Sequence, residues 1–303
     1  MVTGPLSIET LLGVPAIELR ARYWDRRPLV AHGGLDRLTA VANEAVLHDA
    51  ERLIAAHRGP IGAYFRGAGD EVRELEVDPR QAGVLLDSGA CLLLMEIDAW
   101  CPSVARWGRA LASDLGLPDR QIRMSAFIAP EGGVLRKHLD EVHVVSVQIV
   151  GRKAWQVEAN PQLPAPTENH NPPGELHPDL KVIQTGEIDP EMAPDAESFV
   201  MESGSALFVP RGAWHGTEAQ TFSISLSFGF DPPTWLDLAL EGLRERLLPQ
   251  GAWRESVWVG RGDRERRVQA EERLRGLLGG LAEAAAELDA GGLIDRVDRG
   301  PTS

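Results

Sequence analysis

VLRKHLDEVHVVSVQIVGRKAWQV, residues 134–157, puts a histidine and an aspartate two apart, His138 and Asp140, at the head of an apolar run. HVVSVQIV is rich in β-branched residues and reads as a buried strand, and Gly151-Arg152 reads as a tight reversal into a second strand, KAWQV. Side chains two apart on a strand share a face, so His138 and Asp140 are expected to project together. Beyond the reversal Lys153, Trp155 and Val157 share one face in the same way. A lysine directed into a sheet interior requires an anionic partner.

Working outward, IRMSAFIAP is a strand stopped by Pro130, and EGG at 131–133 is a turn. On the other side, ANPQLPAPTENHNPPGELHPDL at 159–180 holds six prolines and reads as a mobile loop between core strands. His170 and His177 are expected to be solvated there. Strands resume in SFVMESGSALFVPRGAWHGTEAQTFSISLSFGF, which ends in clean alternation. Thr221, Ser223, Ser225 and Ser227 fall on one face, with Phe222, Ile224, Leu226 and Phe228 on the other. Many short strands joined by Gly/Pro turns predict a small antiparallel barrel or jelly roll.

Residues 1–120 mix helices and strands. RRPLVAHGGL reads as a short strand, and AGVLLDSGACLLLMEI as strand material. SVARWGRALASDLG spaces Val104, Trp107, Leu111 and Leu115 as one packed helical face. After Pro232-Pro233 the composition turns helical. Thr234 and Asp237 form a cap signal, Leu236, Leu240, Leu243 and Leu247 one stripe, and Leu274, Leu278, Leu281, Ala285 and Leu288 another. The chain is thus expected to be mainly β with flanking helices. It divides into an N-terminal α/β region packing on the barrel (1–120), the barrel core (121–232) and a C-terminal helical segment (233–303).

The formal net charge of −14 over 303 residues disfavours a nucleic-acid surface and is compatible with a basic polypeptide partner. Two cysteines, Cys91 and Cys101, make no disulfide framework and suit a reducing cytoplasm. MVTGPLSIETLLGV lacks the pattern of a signal peptide, and no apolar run approaches a membrane span. No Ser/His/Asp context, phosphate loop or Walker motif supports another enzyme class.

A third ligand candidate, His215, sits in LFVPRGAWHGTEA. Two histidines and one carboxylate with open positions opposite form the facial triad of non-haem Fe(II) oxygenases. His-x-Asp alone is a weak signal, but three segments carry more weight together. RYWDRRPLVAHGG (22–34), FIAPEGGVLRKHLDEVHVVSVQIVGRKAWQV (127–157) and MESGSALFVPRGAWH (201–215) resemble the JmjC branch of the cupin superfamily, and within it the cupin-type ribosomal oxygenases. That resemblance implies a double-stranded β-helix, or cupin, barrel, with Fe(II), 2-oxoglutarate as cosubstrate, and O₂. It implies His138, Asp140 and His215 as catalytic metal ligands, Lys153 as the cation for the distal carboxylate of 2-oxoglutarate, and Ser223 as a hydroxyl assisting it. Ser205 stands where the family usually has aspartate. The implied activity is hydroxylation of a protein or peptide side chain, and a basic substrate is compatible with the acidic charge. A small-molecule hydroxylase and a non-catalytic metal-binding cupin use the same scaffold. The helical tail implies a homodimer, while the room after the barrel hardly fits the family's winged-helix domain. His143, three beyond Asp140, falls off the ligand face and reads as a structural or pocket residue.

Overall fold

The computed structural model of the chain describes residues 6–66, 72–118, 121–259 and 262–299, so the start of the N-terminal stretch read above (1–5) lies outside them. In chain order its strands are β1 (Leu29–Ala31), β2 (Ile61–Arg66), β3 (Val72–Val77), β4 (Cys91–Leu94), β5 (Ile122–Ala129) and β6 (Val134–His138). They continue as β7 (His143–Val150), β8 (Arg152–Glu158), β9 (Glu197–Glu202), β10 (Ala206–Val209), β11 (Trp214–Ala219) and β12 (Ser223–Phe230). One sheet has the order β1-β10-β7-β12-β5-β4-β2-β3 and the other β6-β11-β8-β9. The named pairings within both are antiparallel.

The two sheets face each other as a jelly-roll barrel. Trp155, Val157 and Met201 of the smaller sheet pack on Leu207 and Val209 of the larger. The outer face of the larger sheet is covered by N-terminal helices. Val104, Trp107, Leu111 and Leu115 of the helix Pro102–Leu115 are buried and join Val145, Val147, Leu226 and Phe228 in one core. Both faces of β12 are therefore covered, and all eight of its residues are buried. The serine face of that strand turns into the barrel, which water does not flank.

Two strand assignments differ from the sequence reading. His138 and Asp140 do not head the apolar strand. His138 ends β6 in the smaller sheet, and β7 begins at His143 in the larger sheet. Asp140 lies in the crossing between sheets, where Leu139 forms a bridge with His170. AGVLLD is not strand material either: it ends the helix Pro79–Asp87, capped by Asp78, leaving only Cys91–Leu94 as strand. Proline at the first turn and a side-chain cap favour helix over the apolar run's strand propensity.

The reversal at Gly151 forms as expected. Its φ is 74°, and a Cβ there would run into the Phe222 carbonyl, so glycine is required on both counts. The segment from 159 to 196 is less open than its prolines suggest. Leu163 and Leu180 are fully buried against Leu139 and Trp214, and Pro178–Ile183 is helical. His170 is 6% exposed and packs edge-on to Trp214, which corrects the expectation of a solvated residue. The main-chain bonds of its bridge to Leu139 tie it to the barrel.

The chain divides into two units, Met1–Asp231 and Pro232–Ser303. In the second, Thr234 and Asp237 form a reciprocal capping box on the helix Trp235–Leu247. Further helices span Arg264–Gly279, Leu281–Ala286 and Ala290–Arg299. Gly242 lets Leu293 and Leu288 approach the helix Trp235–Leu247. Leu236, Leu240, Leu274 and Leu278 remain about half exposed.

Candidate metal centre

Pairing of β6 with β11 sets His138 directly opposite His215. A bulge follows at once, with the register shifting between His215 and Thr217. Bulges of this kind re-aim side chains beside functional sites. The two imidazole centroids lie 4.1 Å apart, and Asp140 Oδ2 lies 3.5 Å from His215 Nε2. One ligand atom from each of the three residues falls within 4.8 Å of the others.

Both imidazoles are oriented by backbone. His138 Nδ1 lies 2.7 Å from the Arg136 carbonyl and His215 Nδ1 3.0 Å from the Ala213 carbonyl. A carbonyl only accepts, so each Nδ1 carries a hydrogen and each Nε2 faces the cluster; that of His215 donates to Asp140 while the ring is charged and presents a lone pair when it is neutral. Such partners fix ring tautomer and orientation in metal sites. Trp155 stacks beside His215 at 5.8 Å, walling the site on one side.

Charge in the cluster is uneven. Burial, with the neighbouring His215, pushes His138 down to about 4. Burial would raise Asp140, but the hydrogen bond from His215 and its charge hold it lower than an ordinary carboxylate. His215 is raised despite burial, by the same contact with Asp140. The trio thus offers one anionic carboxylate and two imidazoles, a donor set suited to a divalent transition metal.

Deeper in the barrel Lys153 is 3% exposed. Its Nζ donates to Ser225 Oγ at 3.0 Å and lies 5.5 Å from the Phe127 ring. Among the described residues no carboxylate pairs with it, and burial lowers it to about 8. Ser223, expected to assist the cosubstrate's distal carboxylate, is fully buried and its Oγ has no hydrogen-bond partner, and the lysine's own partner is Ser225. Both serines share the inward face, so period-two alternation could find the face without choosing between them. Gln148, Ser146 and Ser227 add to this polar lining. An ammonium without a counter-ion and a hydroxyl without a partner are what a bound carboxylate would satisfy. The residues present therefore fit both a divalent metal and a dicarboxylate cosubstrate.

His143 lies elsewhere. It is buried on the outer face of β7, stacked on Trp24 at 3.8 Å and near Phe208. His177 is solvated: Glu168, His177 and Asp179 converge in the 159–196 segment with side chains about half exposed. Ser205 closes its turn by accepting from the Glu202 N–H at 3.1 Å.

Comparison with known proteins agrees with this geometry. Residues 117–238 match the JmjC domain. That match covers the barrel core and takes in His138, Asp140, Lys153 and His215. Among individual proteins, it is 29% identical over 245 residues to the uncharacterized protein YxbC of Bacillus subtilis, covering 78% of this chain and 74% of that one. It is 28% identical over 246 residues to the ribosomal protein uL16 3-hydroxylase of Escherichia coli, covering 75% of this chain. It spans only 55% of that relative's length. A structure of the E. coli ribosomal oxygenase YcfD with cobalt and 2-oxoglutarate superposes with a TM-score of 0.55 at 18% identity, covering 88% of this chain and 68% of that one. Among the described residues no helix is long and apolar enough to cross a membrane.

The buried lysine makes a stability prediction. Its folded value of about 8 lies under the ordinary 10.5, so between them the unfolded chain binds a proton that the folded chain does not. Stability attributable to this group therefore rises with pH across that window, and below it the burial penalty is fully present. Lys153→Met should raise ligand-free stability at pH 7 by about 3 kcal/mol. Thermal unfolding at pH 7 and pH 10 checks this: the gain should shrink as pH rises, and a destabilised variant at pH 7 contradicts it.

Proposed function

We propose that this chain is a hydroxylase of a protein or peptide side chain, with His138, Asp140 and His215 as metal ligands. Lys153, with Ser225 and Ser223, would receive the distal carboxylate of 2-oxoglutarate. The observation that carries the reading is a three-ligand cluster and an unpaired buried ammonium in one polar-lined barrel. When bound, iron and 2-oxoglutarate supply the oxidation: O₂ is consumed, the cosubstrate is decarboxylated to succinate, and a substrate C–H becomes C–OH.

The chain's own residues do the rest. The Arg136 and Ala213 carbonyls hold both imidazoles with Nε2 inward. Lys153 supplies a point charge and Ser225 fixes its direction. The tryptophan beside His215 and the buried β12 keep bulk water from this part of the cavity.

A basic substrate fits the rim. Ser225, Phe127, Leu93, Gly62 and Glu76 are successive cross-strand partners, so they lie on the same inward face of the larger sheet. Tyr64, two beyond Gly62, shares that face and pairs with Cys91 and Glu74. Its hydroxyl donates to Glu74 at 2.9 Å. Burial first, then the Glu74 and Asp140 carboxylates, raise the Tyr64 phenol well above its ordinary value. Glu74 and Glu76 are exposed on this extension of the barrel wall. With a net charge of −14, the rim favours approach of cationic chains. The similarity to a ribosomal protein hydroxylase supports a polypeptide substrate.

The half-exposed leucines of the second unit support a homodimer through the C-terminal helices. The two free, buried cysteines suit a reducing cytoplasm.

Three measurements follow. Anaerobic addition of Fe(II) and 2-oxoglutarate should give a weak visible charge-transfer band, lost in His138→Ala and Asp140→Ala along with succinate release. Absence of the band in the wild type would overturn the reading, and oxygen added only to small molecules in extract fractions would replace the polypeptide substrate. With a basic peptide substrate found by mass spectrometry, Glu74→Gln with Glu76→Gln should raise its KM about two- to fivefold, one exposed charge pair's worth, at unchanged KM for 2-oxoglutarate. An unchanged peptide KM removes the cationic-substrate reading. Sedimentation should show a dimer at micromolar concentration, and a monomer there refutes the dimer.

A further inference from the structure

The turn Pro210–Ala213 carries two main-chain groups on which the proposed ligands rest. The Gly212 N–H donates to the Asp140 carbonyl at 2.9 Å, and the Ala213 carbonyl accepts from His215 Nδ1 at 3.0 Å. Displacing this turn would move two ligands together. What holds it is a side chain on the other face of the larger sheet. The Arg211 N–H donates to His143 Nδ1 at 3.1 Å.

We infer that His143 is a positioning residue for the metal centre, acting through the Arg211 main chain rather than by touching the metal. Accepting at Nδ1 requires the ring hydrogen at Nε2, which points to Asp25 Oδ1 at 3.3 Å. The ring is clamped by Trp24 at 3.8 Å, and Trp24 itself stacks on Phe208. Burial, then the charge of Arg211, push His143 down to about 3, so the imidazole stays neutral and its Nδ1 remains an acceptor. The Arg211 side chain adds a second anchor, donating to the Pro166 carbonyl at 3.0 Å, and Asn160 Nδ2 donates to the Gly212 carbonyl at 2.9 Å. The turn is thus held from the N-terminal region, from β7 and from the 159–196 segment at once. Among these holds, His143 is the one that accepts from the turn's main chain, one residue before the N–H that donates to the Asp140 carbonyl.

The inference rests on His138, Asp140 and His215 binding metal, and the test separates the two claims. Asparagine places its amide oxygen where Nδ1 stands, whereas glutamine reaches instead to the Nε2 position. Co(II) binding to the purified full chain, followed by visible absorption, should weaken roughly ten- to hundredfold in His143→Gln and His143→Leu, with altered band shape. His143→Asn should stay within about threefold of wild type, by the same argument. Wild-type affinity and spectrum in the glutamine variant, or equal loss in asparagine and glutamine variants of native circular dichroism, overturns the inference. If the leucine variant does not fold, the asparagine–glutamine contrast alone decides. Failure of the wild type to bind Co(II), or undiminished binding in His138→Ala, overturns the metal-centre reading and this inference with it.

Discussion

β6 is five residues long and pairs only with β11, yet that pairing sets the geometry of the whole centre. It puts His138 across from His215, and a bulge between Leu135 and His138 re-aims the end of the strand before the chain leaves the sheet. The chain then crosses between sheets through Leu139, Asp140 and the residues before β7. A carboxylate placed in that crossing can turn towards the imidazoles because it is no longer committed to a ladder. Backbone carbonyls complete the arrangement by fixing both rings, so the donor set is organised by main chain more than by other side chains.

A packed jelly roll would fill its interior with apolar side chains, and part of this one does so around Trp155 and Leu207. Around Lys153 the lining is hydroxyl and amide instead. Placing an unpaired ammonium there costs stability in the ligand-free protein. The same desolvation strengthens attraction for an incoming carboxylate, because little water competes in the cavity. A residue that opposes folding on its own terms is thereby an argument for a ligand.

The 159–196 segment braces the smaller sheet from outside. Lys137, next to His138 but facing the other way, pairs with Glu158 at 2.6 Å, donates to the Glu191 carbonyl at 2.9 Å and lies over the Trp214 ring. Leu139 and Trp214, the neighbours of Asp140 and His215, are buried under Leu163 and Leu180. Each proposed ligand therefore alternates with a residue anchored in the opposite direction. Period-two alternation makes one strand serve a polar cavity and an apolar cover together.

Much of this was legible in the residues. Pro130, Gly151 and the β-branched runs marked strand ends correctly, since turn chemistry and β propensity act locally. His138, Asp140 and His215 come together as the resemblance implied, and Lys153 faces inward with Trp155 and Val157. Other features depend on partners far away in sequence. Whether a strand breaks after His138 is settled by pairing with β11 in one sheet and of β7 with β10 and β12 in the other. That Lys153 meets Ser225 depends on two strands far apart in sequence, β8 and β12. The burial of His170 follows from its bridge to Leu139. Local sequence thus determined which residue types could serve and which face they would share, because those follow from backbone geometry. The tertiary structure alone decided which of them meet, because meeting depends on register between strands that the chain brings together from far apart.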